Sequence, residues 1–239
     1  MNDCSPDPTP LTAEVQEVIQ RYARRTGADR YSLLRPEVWQ SVQERQRAQL
    51  RLFAALGWTS FEDKRLVDVG CGDGGSLLDW LRLGFAGRHL TGLELLEERA
   101  RAARQRLPSE VDVIQGDALS VSLAPESQDV VHQAVVFSSL LDDGFQRQLA
   151  ARMWSWVRPG GGVLWYDFTF DNPNNPDVRG VPLRRVRDLF PQAQVRWQRV
   201  TLAPPISRRV CRLHPAAYTI FNTVPWLRTH LLAWLAKPQ

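Results

Sequence analysis

Cysteine is scarce: Cys4, Cys71 and Cys211 are the only three in 239 residues, odd in number and far apart. That excludes a disulfide framework and a CxxC-type metal motif, and leaves packing to hold the fold. No apolar run approaches the roughly 18 residues that cross a bilayer. The opening Met1-Asn2-Asp3-Cys4-Ser5-Pro6 is acidic and polar, unlike a secretory leader, so the expected location is the cytoplasm. Repeats and low-complexity tracts are absent as well. With 44% hydrophobic and 23% charged residues, the composition excludes wholesale disorder, a collagen-like repeat and a coiled-coil rod. The length suits a single domain with its own core.

Acid is missing from one region. Residues 178–239 carry 11 basic groups and one acid, against 19 basic and 25 acidic in residues 1–177, so the net +4 hides a −6 body and a +10 tail. A charge run of this kind is either a solvated face or a patch for an anionic substrate or surface.

The apolar positions Val15, Val18, Ile19 and Tyr22 recur at helical spacing over 11–25, and a second helix is expected over Pro36–Leu56. Together they predict a helical N-terminal cap over 1–60. From Lys64 the pattern alternates. Strands are expected at 65–69, 89–93, 111–114, 129–135 and 162–168, with helices at 76–85, 95–107 and 144–157 between them. Alternation of this kind predicts an α/β fold, with a doubly wound, mostly parallel sheet covered on both faces. A further strand reads at 194–202 and the last at 230–236. The 203–227 segment, with four prolines, is too long for a hairpin and is read as an inserted substrate cap or surface element. The core is then 61–202 and the closing segment 228–239.

The stretch Arg65-Leu-Val-Asp-Val-Gly-Cys-Gly-Asp-Gly-Gly-Ser76 takes a strand through glycines into a helix, which places a ligand at the strand's carboxyl end. Its spacing is ambiguous. Gly70, Gly72 and Gly75 satisfy the GxGxxG of a dinucleotide site, whereas Gly70, Gly72 and Gly74 satisfy the GxGxG of an S-adenosylmethionine (SAM) site. Charge separates the two. Asp68 and Asp73 would repel a pyrophosphate, but suit a ligand bearing an ammonium and a sulfonium. Glu94, 22 residues after Gly72, can accept both ribose hydroxyls, a role that NAD sites share. Asp117, in Gln115-Gly-Asp-Ala-Leu119, can accept from an adenine amine while the Ala118 backbone meets the ring edge.

The ordered set Asp68, Gly70-x-Gly72-x-Gly74, Glu94 and Asp117, with Val157-Arg-Pro-Gly-Gly-Gly162, resembles the class I SAM-dependent methyltransferases over about 64–168. That resemblance implies a Rossmann-like, seven-stranded sheet whose last strand is antiparallel, with 230–236 as that strand. It implies SAM as cofactor and S-adenosylhomocysteine as product. It places Asp68, Gly70, Cys71, Gly72 and Gly74 around the methionine end, Glu94 on the ribose, Leu95 against adenine, and Asp117 and Ala118 on the adenine edge. Gln133 joins this cofactor set.

Methyl transfer to a hydroxyl needs an aligned acceptor and a group to take its proton. The carboxyl ends of the fourth and fifth strands offer His132 and Asp167 as candidate bases, beside Gln133 and Tyr166. Adjacent strand residues face opposite ways, so His132 and Gln133 are not expected to line one site together. Asp142, Asp143, Asp167 and Asp171 could hold a divalent ion, although their spacing does not call for one and no metal is expected. Beyond the core, Asn172-Pro-Asn-Asn-Pro-Asp-Val-Arg179, Leu202-Ala-Pro-Pro-Ile-Ser-Arg-Arg209 and Arg228-Thr-His230 resemble methyltransferases of bacterial polysaccharide and glycan assembly. This likeness implies a small-molecule or glycan-like hydroxyl acceptor, phosphorylated or lipid-linked, with peripheral membrane contact at the inner face through the basic C-terminal region. An RNA or protein methyltransferase and a non-catalytic SAM-binding protein stand as alternatives. The lack of an NPPY-type motif weighs against amino-group methylation of nucleic-acid bases.

Overall fold

In the computed structural model, which describes residues 13–24 and 32–239, one sheet of seven strands forms the centre of the molecule. Cys4 and the polar opening lie outside the described residues. Two helices, α1 (Ala13–Ala23) and α2 (Pro36–Ala55), precede the sheet. The chain then alternates through β1 (Leu66–Val69), α3 (Gly75–Leu83), β2 (Leu90–Glu94), α4 (Glu97–Arg106) and β3 (Asp112–Gln115). It continues through β4 (Gln128–Ala134), α5 (Asp143–Trp156), β5 (Val157–Phe168), α6 (Leu183–Leu189) and β6 (Gln194–Leu202). Two short helices, α7 (Pro204–Leu213) and α8 (Ala217–Phe221), lead into β7 (Arg228–Ala236).

The strand order is β3-β2-β1-β4-β5-β7-β6, with β7 antiparallel to both neighbours and the other sheet pairings parallel. The order reverses between β1 and β4, which is where an open α/β sheet leaves a crevice at the strands' carboxyl ends. Alternate residues of each strand feed two cores, as the pleat requires. Val67, Val131, Val163, Trp165 and Leu231 pack with α1, α5 and α6. Leu66, Val130, Leu164, Leu232 and Trp234 pack with α2, α3 and α4, where Phe53, Trp58, Phe61, Trp80 and Phe85 form a chain of aromatic contacts.

Two expectations need correction. The fifth strand, expected at 162–168, starts at Val157, so the Arg158-Pro-Gly-Gly-Gly162 stretch does not precede it. It lies inside β5, where Gly160 takes φ 76° and the pairing with β4 shifts register between Gln128 and Val130. Gly162 also packs under Trp234, and an added Cβ there would stand 2.5 Å from the indole. Helix α6 has no counterpart in the sequence reading, because Leu-Arg-Arg-Val-Arg-Asp-Leu is too short to establish a helical period.

Candidate functional site

The glycine loop links β1 to α3 at the crevice. Gly70, Gly72 and Gly74 have φ of 72°, 60° and 86°, backbone that a side chain strains. At Gly70 the neighbour also excludes a side chain, because an added Cβ would lie 2.6 Å from Val136 Cγ2; at Gly72 the nearest group is the flexible Arg99 guanidinium, so its φ carries the requirement. Backbone N–H groups of Gly70 and Cys71 both donate to the Leu93 carbonyl, at 2.8 and 3.0 Å, so the loop is fastened to the end of β2.

Glu94 completes that fastening. Its Oε2 accepts from Gly72 N at 2.8 Å and its Oε1 from Leu96 N at 2.9 Å. The carboxylate is buried, and each oxygen keeps a lone pair for a ligand hydroxyl. Just past β3, Asp117 Oδ1 accepts from Leu119 N at 3.0 Å in a local turn, while Oδ2 accepts no bond among the described residues. Leu95 and Ala118 are half-buried against the α1/α5 core, beside Ile19 and Tyr22. Apolar Leu95 and Ala118 beside two acceptor carboxylates at successive strand ends suit an adenine and a ribose in chemistry.

Asp68 and His132 stand opposite each other in the β1/β4 register, and His132 Nδ1 lies 2.7 Å from Asp68 Oδ1. Both are enclosed, with Trp80 edge-on to the imidazole at 5.1 Å between centroids. His132 therefore faces the α3 side. Gln133 faces the α5 side, where its amide donates to Tyr166 O and its Oε1 accepts from Val136 N. Burial and the neighbouring Asp68 and Glu94 carboxylates hold the Cys71 thiol well above the usual range, so it is a packing residue.

Asp73 carries less of the site than its sequence position suggests. It is exposed and pairs with Arg106 at 2.7 Å, which neutralises the charge that opposed a pyrophosphate. The acidity facing the crevice comes from Glu94 and Asp117.

Asp167 is fully buried on the α5 side of β5, accepting from Ser138 N at 3.1 Å and from Phe168 N at 2.9 Å. Burial raises its carboxyl from 3.8 to about 7, against the lowering effect of those donors. It thereby ties β5 to the turn that follows β4. In that turn Val135 sits at φ 61°, a rare state for a β-branched residue, held by its N–H on the Tyr166 carbonyl at 2.8 Å. The other acids once considered for a metal are engaged elsewhere. Asp142 caps α5 at Phe145 N, Asp143 pairs with Arg179 and Arg185, and Asp171 accepts from Gly180 N. Among the described residues no three His, Cys, Asp or Glu side chains gather as a metal site.

Several residues around the crevice lie outside the sequence reading. Glu14 on α1 accepts from Arg21 at 2.6 Å and from Leu141 N at 2.8 Å, and Arg21 also donates to Ser139 O. This clasp seats α1 on the loop after β4, while Tyr22 of α1 stacks under Arg99. A second polar group joins α2 to the inserted segment. Glu44 Oε2 accepts from Thr201 N at 2.8 Å and from the Tyr218 hydroxyl at 3.1 Å, and Thr201 Oγ1 bonds the Tyr166 hydroxyl at 2.9 Å. His230 stacks on Tyr166 and, mainly by burial, has its pKa pushed down to about 3, so it is neutral at physiological pH. The pairings span up to 174 residues of sequence, and no local motif announces them.

A surface cavity of about 570 Å3 opens among Trp58, Lys64, Arg88, His89 and Arg158, at the amino ends of the strands. Ligands of open α/β sheets bind at the other end, so it is not the candidate site.

Comparison with known proteins agrees with this geometry. Residues 66–161 match the model of a methyltransferase domain. Among solved structures, the geranyl diphosphate C-methyltransferase of Streptomyces coelicolor, bound to Mg2+, geranyl diphosphate and S-adenosylhomocysteine, is similar with a TM-score of 0.65 at 16% identity, covering 95% of this chain and 99% of that one. A Haloferax volcanii methyltransferase in complex with the Trm112 activator aligns with a TM-score of 0.59 at 16% identity, over 96% of this chain and 100% of that one. A SAM-dependent methyltransferase from Archaeoglobus fulgidus aligns with a TM-score of 0.56 at 14% identity, over 80% and 94% of the two chains. No curated protein matches the sequence. Residues 66–161 thus match a methyltransferase domain, and the seven-stranded sheet shares the Rossmann-like fold of these SAM-dependent enzymes.

Proposed function

We propose that the protein transfers a methyl group from SAM to a hydroxyl oxygen of a small-molecule or glycan-like acceptor. SAM supplies an electrophilic methyl on a sulfonium, and the protein aligns the acceptor with it. In this reading Glu94 accepts from the ribose hydroxyls, and Asp117 with the Ala118 backbone meets the adenine edge. Leu95 packs on the ring, and the Asp68 and Gly70-Cys71-Gly72-x-Gly74 segment shapes the methionine end. Gln133 holds the turn beyond β4 against that end through Val136 N.

The observation behind the hydroxyl reading is the place of Asp167 at the carboxyl end of β5, bonded to the turn after β4, where burial raises its carboxyl to about 7. A group with that pKa can take a proton at neutral pH. His132 is the other candidate. Both side chains are enclosed, on opposite faces of the sheet, so each also positions the backbone that borders the acceptor: Asp167 through Ser138 N, His132 through Asp68. A phosphorylated or lipid-linked acceptor accords with the arginine-rich last quarter of the chain, because guanidinium groups bind phosphate bidentately.

The test is transfer of labelled methyl from SAM to a panel of free sugars, nucleotide sugars and lipid-linked glycans. Transfer to a hydroxyl, lost at least about tenfold in Asp167→Asn or His132→Asn with S-adenosylhomocysteine binding retained, supports the reading. Product labelled on nitrogen or carbon, or turnover untouched in the double variant, contradicts it.

A further inference from the structure

Six of the exposed large apolar side chains among the described residues lie in the segment between β6 and β7 and on the adjoining edge strand. Leu213 and Trp226 are each 86% exposed, and Ile220, Phe221, Val224 and Trp197 also stand open to solvent. A surface cavity of about 370 Å3, lined by Trp197, Arg199, Pro225, Trp226 and Arg228, joins the inserted segment to the outer strand β6. Isolated exposed apolar residues are ordinary, but two exposed indoles meeting at one arginine-lined cavity, with further exposed apolar side chains in the same short segment, mark a contact site.

The charge on this region has one sign. No acidic residue follows Asp188 in the sequence. Arg196 on β6 and Arg208, Arg209 and Arg212 on α7 are exposed, and none of the four pairs with a carboxylate among the described residues. Helix α7 is strongly two-sided: Ser207, Val210 and Cys211 face inward while the three arginines face out. The platform is rigid. Tyr218 is buried and bonded to Leu202 N and Glu44, and Arg228 donates to Asn222 O and Arg199 O, binding the turn after α8 to the sheet edge. These apolar side chains are thus held outward by a fixed scaffold.

We infer that this face, formed by α7, the 220–226 segment and the edge of β6, docks the protein on an anionic lipid surface. Tryptophan and aliphatic side chains beside arginine match the boundary between acyl chains and headgroups, where the ring and alkyl groups leave water and the guanidinium stays with phosphate. Nucleic acid shares the phosphate chemistry, but its interfaces are polar and offer no apolar phase for Leu213, Ile220 and Val224. No helix among the described residues is long and apolar enough to cross a membrane, so the contact is with the surface. This inference deepens the proposal of a lipid-linked acceptor, and it is testable without knowing that acceptor.

The experiment is flotation of the full chain with phosphatidylcholine vesicles, with and without phosphatidylglycerol at roughly one-third of the lipid. The protein should float only with the anionic vesicles and be released by salt. Arg208→Ser/Arg209→Ser/Arg212→Ser should weaken vesicle binding at least about tenfold. Trp226→Ser should weaken it severalfold and remove part of the vesicle-induced blue shift in tryptophan emission. These side chains are exposed, so melting temperature and S-adenosylhomocysteine binding should not change. Absence from anionic vesicles overturns the inference, as does equal flotation of the triple-arginine variant, or tight salt-sensitive binding to RNA that the vesicles do not compete. Each of these outcomes leaves the methyltransferase reading intact if S-adenosylhomocysteine still binds. Loss of S-adenosylhomocysteine binding by the unmodified chain would count against that reading alone.

Discussion

Glu94 is the residue on which the cofactor end depends twice, once for the ligand and once for the loop. Glu94→Ala leaves Gly72 N and Leu96 N without their acceptor, which costs about 2 kcal/mol of stability. In a chain of this size that is a fall of roughly 6 °C in melting temperature. S-adenosylhomocysteine affinity should fall further than stability explains, and Glu94→Gln should recover most of the stability but not the affinity. Calorimetry beside thermal melting separates the two effects. Asp167 predicts a pH dependence. The folded protein keeps its carboxyl proton up to about pH 7, whereas the unfolded chain releases it near 3.8. The folded state therefore binds more protons between those values, and stability falls as pH rises through that window. Asp167→Asn should flatten the fall, as read by melting temperature from pH 5 to 8; a steeper fall in the variant would contradict the assignment. The places of Glu94 at the end of β2 and of Asp117 just past β3 were legible from sequence because the alternating pattern set those two strands. The burial of Asp167 was not, since it depends on Ser138, 29 residues away in the chain.

At the scale of elements, β1, its glycine loop and α3 were readable because local backbone chemistry dictates them, whatever the rest of the chain does. The clasp of α1 was not. A helix with Glu14 and Arg21 on one face reads as solvated, yet the two close on each other and on Ser139 O and Leu141 N across more than 100 residues. Removing one partner of so buried a pair costs about 3 kcal/mol if the helix stays in place. Arg21→Ala should instead release α1, seen as faster proteolysis within 13–24 and faster dissociation of S-adenosylhomocysteine, with the melting temperature of the remaining core nearly unchanged. Glu44 makes the matching link on the other side. Glu44→Ala strands Thr201 N, a residue at φ 65°, and the Tyr218 hydroxyl, and should speed amide exchange in α8 and at the end of β6 without touching β1–β3. The 203–227 segment, expected as an inserted substrate cap or surface element, holds two helices that its sequence hides, because Pro204, Pro205, Pro215 and Pro225 obscure their short periods.

For the whole molecule, the division between an acidic body and a basic tail becomes a division of labour. The body holds a crevice whose acids, Glu94 and Asp117, suit hydroxyl and amine donors, with Asp73 drawn aside by Arg106. The tail supplies the outer edge of the sheet and a face rich in arginine and exposed aromatics. Alternating strands and helices made the covered parallel sheet predictable, because right-handed crossovers place helices on both of its faces. The central claim is that the crevice at β1, β2 and β3 takes SAM and not a dinucleotide. Titration calorimetry of the full chain with S-adenosylhomocysteine, and separately with NAD, tests it most directly. The account predicts saturable one-to-one binding of S-adenosylhomocysteine, sharply weakened in Glu94→Ala, with no heat from NAD; binding of NAD with no response to S-adenosylhomocysteine would contradict it.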